Sequence, residues 1–242
     1  MARDRLDPTW AALLAVALPV TALLVGSLLA QQIAASAGVG LDSFAGMVIA
    51  TIGYQGLGIG LVAFFYYRWR GDPVDHLGLA VPDRRALAWA GGGLVVLVGL
   101  WFGANALAQY AGIPVAEHQL GELSEPNQIL IFVALSFLVV APGEEVLYRG
   151  LVQGTLREAY GAWPSIAGAS ALFALNHVGA LVTADASPGT ATAVTIGLVL
   201  VLSLVLGYLY ERTETIVVPI LVHAGFNGLQ FGLRYLDVTG LV

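Results

Sequence analysis

The chain has 242 residues, 58% of them hydrophobic and only 11% charged, with a formal net charge of −6. A soluble domain is about a quarter charged, so a water-soluble globule of this length is excluded, because too few charges remain to cover its surface. The acidic balance argues against nucleic acid as a partner, and the absence of cysteine removes disulfides, thiolate metal sites and cysteine nucleophiles.

Along the chain, Trp10 to Gly40, Ser43 to Tyr67, Ala86 to Ala116 and Pro126 to Gly143 carry no charge. Each meets or approaches the roughly 20 apolar residues that cross a bilayer core. Arg3 and Arg5 before the first run imitate a signal peptide, but the run is too long and equally long ones follow, so it reads as a first transmembrane helix. The expected fold is an all-α polytopic bundle of seven spans, near 10–36, 43–67, 86–111, 127–148, 163–182, 191–210 and 215–235, or eight with a re-entrant segment. All 242 residues read as one membrane domain without an internal repeat. Residues 1–112 supply helices without catalytic motifs, and 127–235 form the candidate catalytic core. Gly91-Gly92-Gly93 suggests close helix packing. Gly53-Tyr54-Gln55-Gly56-Leu57-Gly58 follows no strand and is not a nucleotide loop, and His76 and His118 fall in loops.

Arginine placement sets the expected orientation. With the N-terminus in the cytoplasm, Arg3, Arg5, Arg68, Arg70, Arg84, Arg85, Arg149, Arg157 and Arg212 fall on the cytoplasmic side, and only Arg234 falls outside. The outer connections near 37–42, 112–126 and 183–190 hold no arginine, and Glu117 to Glu125 is acidic. This describes an integral plasma-membrane protein with its C-terminus outside. The cations are all arginine, which together with the Ala, Gly and Val content suggests a GC-rich prokaryotic genome.

Ionisable groups inside spans are costly and read as functional by default. In Pro142-Gly143-Glu144-Glu145-Val146-Leu147-Tyr148-Arg149, Glu145 and Arg149 are four apart and can pair on one helical face. Glu144 points about 100° away, so one carboxylate can be neutralised while the other stays free to react. His177 lies four residues after Phe173 in an apolar helix, where a histidine is often only a packing residue. His223 and Asn227 share a face one turn apart, an arrangement that also suits a polar helix–helix contact. Together these residues supply a general base, metal-ligand candidates and an oxyanion donor, the parts of a hydrolase that activates water. Arg234 and Asp237 read as an interfacial anchor. Neither G-x-S-x-G nor H-E-x-x-H occurs.

Glu144-Glu145-x-x-x-Arg149, Phe173-x-x-x-His177 and His223-x-x-x-Asn227, in this order, resemble the three motifs of the CPBP family. That family comprises intramembrane proteases related to the Rce1-type CAAX prenyl endopeptidases and the Abi bacteriocin-immunity proteins. The resemblance covers about 127 to 235; the first three spans match only as hydrophobic helices. It implies that Glu144 activates the attacking water with His177 beside it. It further implies that His223 and Asn227 stabilise the oxyanion or hold the water, and that Glu145 and Arg149 position Glu144. The implied reaction is hydrolysis of a peptide bond in a membrane-embedded or lipidated protein or peptide, at a site opening to the cytoplasmic half of the bilayer. Glu144, His177 and His223 would make a zinc ligand set with an open position for water; a metal-free glutamate route is slightly preferred. A non-catalytic scaffold or immunity-type protein is the alternative, followed by a small transporter, which would place paired polar groups in both halves.

One depth mismatch stands in the seven-span reading. Glu144 and His223 fall near the cytoplasmic side, whereas His177 falls about 20 Å beyond the start of its span. A catalytic site needs the three motifs level.

Overall fold

The computed structural model describes residues 6–71, 77–113, 115, 123–179 and 189–241. His76, His118, Arg3 and Arg5 lie outside the described residues, as does most of the acidic segment before Glu125. The described chain is all-α, with seven helices: α1 Pro8–Ala37, α2 Phe44–Arg70, α3 Arg84–Tyr110, α4 Pro126–Tyr160, α5 Ala162–Asn176, α6 Thr190–Thr213 and α7 Val217–Val238. Five of them, α1 to α4 and α6, are long and apolar enough to cross a membrane. The fold is thus that of a polytopic helical membrane protein. Large apolar side chains such as Leu24, Phe65, Val95 and Leu138 stay exposed on its outside, as a lipid-facing surface requires.

Local sequence sets the helix ends. The Asp7 carboxylate accepts from the Thr9 and Trp10 amides, with Pro8 at the first helical position, and Gly38 closes α1 in the left-handed region. Ser43 and Asp83 cap α2 and α3 in the same manner. Two long helices contain π-helical stretches, Ile52–Gly58 in α2, and Ser136–Val140 and Val146–Gln153 in α4. Such stretches are rare and often accompany functional sites.

Small residues bring α1 and α2 together. Ala22, Gly26, Ala30 and Ala34 form a buried four-residue stripe on α1. Against it, a Cβ on Gly53 would stand 2.7 Å from that of Ala30, and one on Gly58 would stand 2.5 Å from the Ala22 carbonyl oxygen. This is the small-xxx-small seam of membrane helices. The glycine triplet of α3 behaves otherwise. Only Gly93 meets neighbours, Leu209 and Val222, and Gly91 and Gly92 face open space, so close packing there is confined to one residue.

Two main apolar cores result, with a smaller cluster of Leu123, Ile129 and Phe132 packed against Phe44 and Phe231. One joins α1, α2, the second half of α4, and α5 through residues such as Leu18, Ile59, Leu151 and Phe173. The other joins α3, α6 and α7 through Leu97, Leu206, Val222 and Phe226. Phe173 of the second motif belongs to the first core, and His223 follows Val222 of the second.

Contacts sort the ends of the bundle. Arg70 pairs with Glu158 at 2.6 Å, Arg157 donates to Glu211 at 2.6 Å, Arg212 lies 5.6 Å over the Trp89 ring, and the Tyr160 hydroxyl donates to the Pro8 carbonyl. The start of α1, the ends of α2, α4 and α6, and the start of α3 therefore share one arginine-rich end. At the other end, Arg234 pairs with Asp237 and donates to the Leu123 carbonyl. Arg149 belongs to neither end. It is fully buried inside α4, which corrects its assignment to a cytoplasmic connection. The sequence reading closed the fourth span at Tyr148, but the helix continues to Tyr160 because Glu145 neutralises the arginine in place.

Replacing Gly58 with valine should lower the detergent melting temperature, since overpacking of this kind costs roughly 1–3 kcal/mol. Gly60→Val, two residues on and in open space, should leave it unchanged. Parallel thermal melts of the two variants measure the difference.

Candidate functional site

The site begins in α4, where the short α-turn Ala141–Glu145 sits between two π-helical stretches. Gly143 lets this turn approach α2, because a Cβ there would collide with the Gln55 carbonyl oxygen. Both glutamates are nearly or fully buried, at 5% exposure for Glu144 and 0% for Glu145, yet their surroundings differ. Glu145 is held from two sides. One carboxylate oxygen lies 3.1 Å from Arg149 Nε, and the other accepts from His223 Nδ1 at 2.8 Å. Arg149 is in turn anchored to α6, donating to the Ser203 carbonyl at 3.2 Å and its hydroxyl at 3.1 Å. The i, i+4 pair expected from sequence is present; its third member, His223, was not expected.

Glu144 is bound less tightly. Its nearest charged neighbour is His223 Nε2, at 3.7 Å. That is longer than a hydrogen bond, so the two groups are close without being directly bonded. Because Nδ1 of His223 carries the proton given to Glu145, the ring orientation is fixed and Nε2 faces Glu144.

α5 brings in the second motif. His177 caps its C-terminus and donates from Nδ1 to the Phe173 carbonyl at 2.9 Å. This tautomer leaves Nε2 with a free lone pair. Phe173 is more than a spacer in its motif. Its ring lies 4.6 Å from the His177 ring, 5.9 Å from that of His223, 5.0 Å from Tyr148 and 5.3 Å from the Arg149 guanidinium. Its position four residues before a histidine was the available signal for this hub.

The depth mismatch disappears. α4 runs on to a sharp reversal at Gly161, which has φ 81°, and α5 climbs back beside it. Glu144 precedes Gly161 by 17 residues and His177 follows it by 16. At about 1.5 Å per residue the two sit at nearly one level.

Glu144, His177, His223 and Asn227 all line one cavity of about 680 Å³, within the range of small-ligand sites. Its wall is largely apolar, with Leu97, Trp101, Phe132, Leu202 and Phe226. Beyond the motifs it includes Asn105, Thr195, Arg234 and the exposed Asp237. The lining thus extends to Arg234 and the exposed Asp237, at the end away from the arginine cluster. Arg234 and Asp237, expected only as an anchor, form part of its rim. α2, which carries no catalytic motif, contributes Thr51 and Gln55 to the lining.

The zinc set does not assemble. Among the described residues no group of three or more His, Asp or Glu side chains is placed to hold a metal ion. Glu144, His177 and His223 share the cavity without converging on a common point, so no step is derived through a metal.

Residues 126–229 match the model of the Rce1-like family, described as type II CAAX prenyl endopeptidase Rce1-like. This stretch contains all three motifs. No curated protein and no solved structure matches the chain.

Arg149→Met leaves the Glu145 charge with one partner fewer in a dry interior, a loss of roughly 3–5 kcal/mol when a buried pair is broken from one side. The double variant with Glu145→Gln should recover part of that loss. A double-mutant cycle on melting temperatures measures the coupling.

Proposed function

Starting from residues 126–229 as an Rce1-like type II CAAX prenyl endopeptidase domain, we propose that the protein is an intramembrane endopeptidase driven by Glu144. The observation that carries this reading is the asymmetry of two adjacent carboxylates. Glu145 accepts a hydrogen bond from His223 at one oxygen and is ion-paired with Arg149 at the other, whereas Glu144 lines the cavity and, among the described residues, its ion-pair contact is the 3.7 Å approach of His223 Nε2. One glutamate builds the site; its neighbour is left to react.

In this mechanism the attacking water sits in the cavity against the Glu144 carboxylate, on the side where His223 Nε2 approaches it. Glu144 takes a proton from the water as its oxygen adds to the scissile carbonyl carbon. His177, whose Nδ1 is engaged by the Phe173 carbonyl, lines the same cavity as Glu144 and presents its Nε2 to the substrate. Asn227, one turn beyond His223, donates its amide N–H to the oxygen that becomes negative. Glu144 then returns the proton to the departing amine, and the peptide bond breaks.

The substrates are proteins or peptides associated with the membrane, and the apolar wall fits a hydrophobic segment beside the cleaved bond. The arginine-rich end would face the cytoplasm. All seven helices would then lie in the bilayer, with α5, 15 residues long, entering only part-way.

Cleavage of a quenched membrane-peptide library by the purified protein tests the reading. Glu144→Gln should lose about 10²–10⁴-fold in rate, the usual contribution of general acid–base catalysis, while keeping its fold. Asn227→Ala should lose about 10²–10³-fold, the cost of one oxyanion donor. A chelator should leave the wild-type rate unchanged. A library left intact by well-folded wild type, or a fully active Glu144→Gln, would overturn the proposal.

A further inference from the structure

We infer that substrate reaches Glu144 from the extracytoplasmic side of the membrane, so that the protein acts on translocated, membrane-anchored polypeptides and not on cytoplasmic C-termini. Two independent observations combine here, the distribution of arginine and the shape of the cavity.

Of the eight arginines among the described residues, six gather at one end. Arg70, Arg157 and Arg212 are placed there by their contacts with Glu158, Glu211 and Trp89. Arg68 is two residues from Arg70, and Arg84 and Arg85 open the helix that carries Trp89. Arg149 is buried, and Arg234 stands alone at the opposite end, offset by Asp237. Arginine retained on the cytoplasmic face orients membrane proteins, so the six-arginine end is cytoplasmic.

The cavity avoids that end. Between it and the site, α4 and α6 run parallel and are joined at a constant offset of 54 residues. Arg149 donates to Ser203, Gln153 to Gly207 and Arg157 to Glu211, one step every four residues. Tyr148, Leu151, Val152 and Gln153 are at most 1% exposed, and they fill this region as a packed plug. In the other direction the lining continues past Asn227 to Asn105, Thr195 and Arg234 and ends at Asp237, whose side chain is 61% exposed. The opening therefore lies on the side opposite the arginines.

A polypeptide using this route must expose its scissile bond to the outer half of the bilayer. What enters rests on the peptidase reading above. The route itself can be measured in a protein with no activity at all.

The chain contains no cysteine, so each introduced thiol is unique. Asn105→Cys and Thr195→Cys report on the cavity, and Glu158→Cys reports on the arginine-rich end. Intact cells are treated with a membrane-impermeant maleimide and compared with permeabilised cells. The two cavity thiols should label several-fold more than Glu158→Cys in intact cells, and Glu158→Cys should react only after permeabilisation. Leu233→Cys, also in the cavity wall, replaces either cavity variant that does not fold. Labelling of Glu158→Cys in intact cells, or cavity thiols that react only after permeabilisation or under neither condition, would overturn the inference. Such a result would leave the peptidase untouched, whereas a correctly labelled protein that cleaves nothing would count against the peptidase alone.

Discussion

A single negative charge in a dry interior organises the half of the molecule that carries the motifs. Glu145 has no solvent exposure, and an isolated carboxylate there would be prohibitively costly. It is sustained by Arg149 from its own helix and His223 from α7, and Arg149 is held to α6 through Ser203. The charge can be satisfied only when α4, α6 and α7 are correctly aligned, so satisfying it fixes their relative depth. It also orients the His223 ring and thereby the nitrogen that faces Glu144. Buried ion pairs are poor sources of net stability; here the cluster serves positioning.

The helix geometry around that charge follows a related logic. Interruption of α4 by π-helical turns on both sides of Ala141–Glu145 changes the angular spacing of side chains where two adjacent glutamates need different surroundings. The reversal at Gly161 and the shortness of α5 bring His177 to the level of Glu144. Phe173 then fills the space among Arg149, Tyr148 and the two histidines, fixing ring positions by packing. α1 and α2 brace this assembly through their small-residue seam, and Gly143 admits α2 close enough to close one wall of the cavity.

Much of this was legible in the chain itself. Apolar length located the helices, since crossing hydrocarbon imposes a requirement that shows in composition. The four-residue spacing of Glu145 and Arg149 announced their pair, and the separate direction of Glu144 followed from helical geometry. What was not legible depends on tertiary contact. Pro142, Gly143 and the charge cluster after them look like the end of a span, and only Ser203 and His223, more than 50 residues away, show how Arg149 can lie inside one. The depth of His177 depended on where α4 stopped, so that one misplaced boundary produced the apparent mismatch. The direction of the cavity had no local signature, being set by which helix ends pack tightly and which diverge.

The central claim is a division of labour between Glu144 and Glu145, and it is tested most directly by measuring stability and cleavage on the two glutamine variants side by side. The account predicts that Glu144→Gln melts with the wild type and loses about 10²–10⁴-fold in cleavage rate, whereas Glu145→Gln melts markedly lower because Arg149 is left as a buried charge without its carboxylate. A Glu145→Gln variant as stable as wild type, paired with a Glu144→Gln variant that unfolds or keeps its activity, would contradict it.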